Sequence, residues 1–221
     1  MCDSVIPHGL KYGKYGKPLK LVSSSALNTM GDIRDRDEQN GHRCVYCGIP
    51  DATYTDRTIP RDASNTETVM CCEPCFRMKG MLTSAEFIEH IACIDAWQTG
   101  KPLPHPRTVM TNHGKHRTLT AYREHARKKS IKWGLSKSVF QSLTRGVGVR
   151  CYYCGLGKVK RMGIDRLDTA RPFSIDNCVT CCKTCSVMRR HFALRNMFPQ
   201  IRRVLAWQQH SGDETQTSQC V

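Results

Sequence analysis

Cys151-Tyr152-Tyr153-Cys154-Gly155 and, further along, Cys181-Cys182-Lys183-Thr184-Cys185 are the two stretches whose reading decides the fold. Each holds a Cys-x2-Cys pair. That spacing lets both sulfurs face one ion, because a tight knuckle or the first turn of a helix points both side chains the same way. Two such pairs make the tetrahedral four-thiolate shell of a structural zinc. The glycine after the first pair permits the positive φ of a knuckle. The second pair is expected to open a helix, whose N-terminal partial charge favours thiolates.

The same layout occurs earlier, as Cys44-Val45-Tyr46-Cys47-Gly48 and Cys71-Cys72-Glu73-Pro74-Cys75. Sliding the chain by 110 positions carries Cys71, Cys72 and Cys75 onto Cys181, Cys182 and Cys185. It also carries Met78 onto Met188, Ile91 onto Ile201, and Ala96-Trp97-Gln98 onto Ala206-Trp207-Gln208. The distant Ala-Trp-Gln match is not a product of cysteine spacing, so the chain reads as one supersecondary unit used twice. The expected ligand sets are Cys44, Cys47, Cys72 and Cys75 for one zinc, and Cys151, Cys154, Cys182 and Cys185 for the other. Cys71 or Cys181 could replace its neighbour at x3 spacing. Otherwise Cys71, Cys178 and Cys181 read as small buried residues.

Outward from the cysteines, a short polar hairpin is expected around Asp56-Arg57 and around Asp165-Arg166-Leu167-Asp168. Leu82, Phe87, Ile91 and Ile94 make the apolar face of the helix opened by the first unit's second pair. Phe192, Met197, Ile201 and Val204 do so in the second unit, with Pro199 marking a break or a fresh start. Trp97 and Trp207 are expected to close each its own unit. Gly100 to Pro106 reads as a linker. Thr120 to Ile131 reads as a basic helix, and Ser136 as the N-cap of the next, with Phe140 and Leu143 on its apolar side. The organisation is a basic N-terminal extension (1–43), a first four-cysteine unit (44–98), a linker (99–119), a helical lead-in with the second unit (120–208), and a tail (209–221) expected to be disordered from Ser211. The fold class is small α+β, zinc-bound: two tandem treble-clef-type ββα fingers with flanking helices.

Composition agrees with metal-held modules. Over 221 residues, 39% are hydrophobic and 7% aromatic, thin for one continuous core, and a bound ion substitutes for missing apolar burial. The net charge of +15, from 34 Lys+Arg against 19 Asp+Glu, points to a polyanion, with nucleic acid the commonest. No basic amphipathic stretch or lipidation signal points to a membrane. The start of the chain lacks the apolar core of a secretory signal. A reducing compartment such as cytoplasm, nucleus or virion is therefore expected, where thiols serve metal and not disulfides.

Tyr122-x3-His125-Ala126-x-Lys128, Ile131-x-Trp133-x-Leu135-Ser136-x3-Phe140-x2-Leu143 and Cys151-Tyr152-Tyr153-Cys154-Gly155 together resemble the lead-in of HNH endonuclease-like proteins of phages and large viruses. Gly163-Ile164-Asp165-Arg166-Leu167-Asp168, Phe173, Asn177 and Cys181-Cys182-x2-Cys185 continue the resemblance. It covers about residues 120 to 208, and 44 to 98 more weakly through the repeat. Those proteins belong to the His-Me finger, or ββα-metal, nucleases. The resemblance implies a site on the second unit, with Asp165 as the acidic residue before the catalytic histidine, Asn177 as the loop-steadying asparagine, and a Mg²⁺ or Mn²⁺ ion against the leaving oxygen. Arg166 stands where the histidine would. Arginine stays protonated and cannot be the base, but it could stabilise charge on a phosphate. The base would be Asp168, a water on the metal, or a histidine brought in from elsewhere.

Two functions follow. One is a metal-dependent DNA endonuclease using Asp165, Arg166, Asp168 and Asn177. The other is a non-catalytic DNA- or RNA-binding zinc-finger protein that has lost the histidine. In both, Arg127, Lys128, Lys129, Arg189, Arg190 and Arg195 are expected on phosphates, with DNA favoured over RNA. A protein-interaction zinc module fits the charge less well. His90, His113, His116 and His125 read as surface or linker residues.

Overall fold

The computed structural model describes residues 41–57, 68–104, 118–157, 162–190 and 192–213. Most of the N-terminal extension and of the linker, with His113, His116 and the end of the tail, lies outside them. Among the described residues there are six helices and two two-stranded antiparallel sheets. The first unit runs β1 (Tyr54–Arg57), β2 (Thr68–Cys71), α1 (Glu73–Lys79) and α2 (Ser84–Gln98). The lead-in is α3 (Leu119–Lys128) and α4 (Lys137–Arg145). The second unit is β3 (Gly163–Arg166), β4 (Cys178–Cys181), α5 (Lys183–Arg189) and α6 (Leu194–Asp213).

The repeat holds at the level of register. Tyr54 pairs with Cys71 and Arg57 with Thr68, just as Gly163 pairs with Cys181 and Arg166 with Cys178. Cys72 and Cys182 are the N-caps of α1 and α5, so the second cysteine pair does open a helix. Gly48 and Gly155 sit at φ 70° and 69°, as their knuckles require.

Three local expectations change. The helix opened by Cys72 stops at Gly80, and a new one starts at Thr83. A capping box between Thr83 and Glu86 satisfies the freed N–H groups there. Leu82, Phe87, Ile91 and Ile94 are buried, but not on one helix. Pro199 lies inside α6 without ending it. It falls in the second turn, where the missing N–H costs one bond, and buried Met197, Ile201 and Val204 hold the helix through it. Residues 211–213 are helical, where disorder was expected from Ser211.

The lead-in packs on the second hairpin. Tyr122, Ala126, Leu135 and Phe140 form a small core with Ile164, Phe173 and Cys178. The Tyr122 hydroxyl donates to the Ile164 carbonyl and accepts from the Ile164 N–H, both at 3.1 Å. Ser136 caps α4 as expected, accepting from Val139 N–H at 3.2 Å.

The larger core is shared by both units: α2 packs on α6, and α1 on α5. The tryptophans are crossed over. Trp97 of the first unit lies on the second unit's knuckle, and Trp207 of the second lies on the first's. A Cβ added to Gly155 would sit 2.3 Å from the Trp97 ring, and one added to Gly48 would sit 2.3 Å from the Trp207 ring. The adjoining glutamines cross too. Gln98 Nε2 donates to the Tyr152 and Tyr153 carbonyls, both at 3.0 Å, and Trp97 Nε1 to Tyr152 at 3.0 Å. Gln208 Nε2 donates to the Val45 and Tyr46 carbonyls at 3.1 and 3.0 Å. Each tryptophan therefore closes the other unit, and Trp97 keeps 40% of its surface exposed while doing so. A knuckle points backbone carbonyls outward, and an indole with a neighbouring amide covers and satisfies them in one step.

This arrangement makes Gly48 and Gly155 critical for two reasons, positive φ and the indole above. Gly48→Ala is expected to destabilise the metal-loaded protein by at least about 2 kcal/mol, from αL strain and overpacking together. Trp207→Ala should lower the midpoint as well, by loss of burial. Chemical denaturation of both variants checks this, and an unchanged midpoint for Gly48→Ala would contradict the crossed packing.

Candidate metal centres

The first knuckle is tied by Gly48 N–H to the Cys44 carbonyl and by Cys44 N–H to the Ile49 carbonyl, both at 2.8 Å. That turn aims Cys44 and Cys47 at the head of α1, where Cys72 caps the helix and Cys75 lies in its first turn. Their four sulfurs all lie within 4.8 Å of one another and are buried. Cys47 and Cys72 are 3.7 Å apart, and Cys154 and Cys182 of the second centre 3.8 Å. A tetrahedron with about 2.3 Å zinc–sulfur bonds has edges of about 3.8 Å. The twelve cysteines within the described residues are all free thiols. The donor set and its spacing therefore fit a metal ion such as zinc. Cys71 is buried but outside the first group, which assigns that position to Cys72.

Four crowded thiols cannot all ionise unaided. Hydrogen bonds from Cys44, Cys72 and Cys75 pull Cys47 far below the ordinary thiol range. Cys44, Cys47 and Cys72, with burial, drive Cys75 far above it. A dication among them removes this conflict, because each coordinated thiol is deprotonated outright.

The second centre gathers Cys154, Cys182, Cys185 and a residue the sequence did not suggest, His90 of the first unit. Cys151, expected as the fourth ligand, is fully buried but falls outside this group, although Cys154, Cys181, Cys182 and Cys185 all bear on its thiol. Cys182 is held near pKa 6: Cys151 pushes it up, while Cys154, Cys185 and His90 outweigh that by hydrogen bonding. His90 is not a surface residue. It is 0% exposed, with Nε2 3.1 Å from Cys185 Sγ. The equivalent place at the first centre holds Gln200, whose Nε2 lies 3.2 Å from Cys75 Sγ. Only the 110-residue shift, which pairs His90 with Gln200, could have hinted at this.

Each of the four residues expected to be catalytic has partners within the protein. Asp165 accepts from the Tyr153 hydroxyl at 2.7 Å and faces Arg189 at 3.8 Å, and burial pushes its carboxyl above the usual range. Arg166 lies 4.9 Å over the Phe173 ring and donates to the Arg171 carbonyl. Asp168 is exposed and accepts from Ala170 N–H at 2.8 Å, closing a turn. Asn177 is buried and clamps the loop from inside. Its Oδ1 accepts from Asp168 N–H at 3.0 Å, and its Nδ2 donates to the Asp168 and Pro172 carbonyls. Asn177 thus holds the loop between Leu167 and Cys178.

The first unit has a matching but deeper cluster. The Tyr46 hydroxyl donates to Asp56 at 2.8 Å, and Lys79 donates to Asp56 at 3.1 Å and to the Arg57 carbonyl at 2.7 Å. Lys79 and Arg189 are equivalents. Arg189, expected on phosphate, is 5% exposed and spends its guanidinium on the Leu167 and Phe192 carbonyls, so it is not available at the surface. Arg190 and Arg195 are exposed, as are Arg127, Lys128 and Lys129. Comparison with protein-family models, with curated proteins and with solved structures finds no match.

Asp56→Ala leaves the Lys79 ammonium buried without its counter-charge and should cost about 3 kcal/mol. Asp165→Ala should cost less, about 1 kcal/mol, because Arg189 keeps its carbonyl partners. Denaturant unfolding of the two variants measures the order, and Asp165→Ala proving the more damaging would contradict this account.

Proposed function

We propose that the chain is a nucleic-acid-binding protein stapled by two structural zinc ions, each in a four-cysteine treble-clef-type finger, and that it binds DNA in preference to RNA. The observation that carries the binding reading is the lead-in. Between residues 118 and 157 there are eight Lys and Arg residues and one acid, Glu124. All eight cations, from Arg123 to Arg150, are exposed. The apolar side of α3, Tyr122 and Ala126, is buried on the second hairpin, which leaves Arg123, Arg127, Lys128 and Lys129 towards solvent. Glu124 pairs with Arg127 at 2.9 Å and Lys128 at 3.6 Å, two exposed contacts that a phosphate could displace. A field this one-sided supports counterion-release binding.

The endonuclease reading rests on the resemblance to the His-Me finger nucleases and on Asn177, which clamps the loop as it would there. Against cleavage stand the permanent charge of Arg166 and the engagement of Asp165 with Tyr153 and Arg189. Binding without cutting is the better-supported function. A Mg²⁺ or Mn²⁺ ion would enter only with the nuclease chemistry.

Elemental analysis of freshly reduced protein is expected to give two zinc per chain. Cys154→Ser should lower that number, and chelation should loosen both units, since nothing else ties each knuckle to its helix N-terminus. One zinc or none in the wild type would overturn the structural part of the proposal.

Duplex binding should weaken steeply with salt. Arg127→Ala, Lys128→Ala and Lys129→Ala combined should reduce the log–log salt slope by about 2, with little change in sequence preference. Supercoiled plasmid should be retarded but not nicked in Mg²⁺ or Mn²⁺. Nicking that Asp165→Ala abolishes at unchanged binding would restore the endonuclease reading. Nicking gained by Arg166→His would mean that only the base was missing.

A further inference from the structure

We infer that each metal centre is completed in trans: His90 of the first unit donates an N–H to Cys185 Sγ of the second, and Gln200 of the second donates an N–H to Cys75 Sγ of the first. This rests on the zinc reading above and adds to it which residues outside the ligand shell hold each ion.

Four observations carry it. His90 and Gln200 occupy the same place in the repeat, one shift of 110 residues apart. Both are buried, at 0% and 7% exposure. Both approach the last cysteine of the opposite unit, at 3.1 and 3.2 Å. Both stand on the helices that pack the two units together, α2 and α6.

The chemistry of the pair fixes the role. A thiolate can only accept, so Gln200 must present its NH₂ to Cys75. A carboxamide nitrogen has no free lone pair for a metal, so Gln200 is a hydrogen-bond donor and not a ligand. The equivalent His90 reads the same way. Its 3.1 Å separation is shorter than the nitrogen–sulfur edge of about 3.6 Å that a zinc tetrahedron would impose. Nε2 then carries the proton, and Nδ1 has no hydrogen-bond partner among the described residues. Cys151, fully buried and at x2 spacing from Cys154, then takes the fourth position.

A zinc with four thiolates carries a net charge of −2, and burying it is costly unless N–H groups face the sulfurs. Each unit supplies its partner with one such donor from a side chain. A unit that loses its ion loosens its own helices, and with them the donor, indole and amide that it lends to its partner. The two ions are therefore held as a coupled pair.

The test uses full-length protein loaded with zinc. Zinc content is measured first, then the rate of transfer to a chromogenic chelator, with cysteine alkylation and peptide mass spectrometry showing which set is uncovered. His90→Ala should still bind two zinc ions but release one about tenfold faster, exposing Cys182 and Cys185 of the opposite unit first. His90→Gln, which copies the first centre, should release at close to the wild-type rate. Gln200→Ala should expose Cys72 and Cys75 first. Two bound ions with unchanged release rates in His90→Ala and Gln200→Ala would overturn the inference and leave the zinc reading standing. Loss of one ion in both His90→Ala and His90→Gln, with two retained in Cys151→Ser, would make His90 a ligand and also overturn it. Wild-type protein without zinc would sink the metal reading itself.

Discussion

Four sulfur atoms crowded within 4.8 Å at the head of a seven-residue helix form an arrangement that the polypeptide cannot hold by itself. The thiols compete for protons, two four-residue strands bury almost nothing, and a helix this short is unstable in water alone. A dication held there would resolve all three problems together. It would take the thiolate charge and tie the knuckle to the helix N-terminus. The positive-φ glycines, the cysteine N-caps and the strand registers are all consequences of bringing two Cys-x2-Cys pairs to one point.

What that centre does not supply is a cover. The outer face of each knuckle presents backbone carbonyls, and small units have too few side chains to satisfy them. Duplication provides the missing surface. The C-terminal helix of each unit reaches the other's knuckle with a tryptophan and a glutamine, and reaches its cysteines with His90 or Gln200. The outcome is one core across both units, with the linker between them carrying chain and not separating domains. The end of its partner's helix covers each knuckle, and Trp97 does so with 40% of its own surface exposed.

Much of this was legible from residue spacing. The cysteine pairs, the hairpin–helix order, the Ser136 cap and the apolar residues of α2 and α6 follow from local rules of turn, cap and periodicity. The crossing did not. Trp97 and Trp207 are equivalent in the repeat, but sequence equivalence cannot say whether a repeated residue packs on its own copy or on the other. Arg189 shows the same limit: a run of arginines reads as a basic face, yet one of them is turned inward by Asp165 and two carbonyls. His90 carried no local signal, since a lone histidine in a largely apolar, buried helix has no spacing to mark it. Pro199 misled because helix rules treat a proline by its intrinsic cost, whereas three buried neighbours decide here.

The cluster around Asp165 bears on how function is distributed between the halves. A tyrosine, an aspartate and a cation occur at equivalent places twice, as Tyr46, Asp56 and Lys79, and as Tyr153, Asp165 and Arg189. The copy in the first unit is the more buried and the more tightly bonded. A catalytic carboxylate needs access to solvent and a substrate, and the first copy has neither. The simplest account of both is a brace between knuckle, hairpin and helix that belongs to the repeat itself. Within the described residues the second unit carries in addition the cationic lead-in from Thr118 to Arg145 and the loop that Asn177 clamps between Leu167 and Cys178. Both lie on one side of the second hairpin, joined through Phe173, which packs with Trp133 and carries Arg166 over its ring. The two cysteine clusters and the duplication build the frame, and the helices before the second unit give it a charged face.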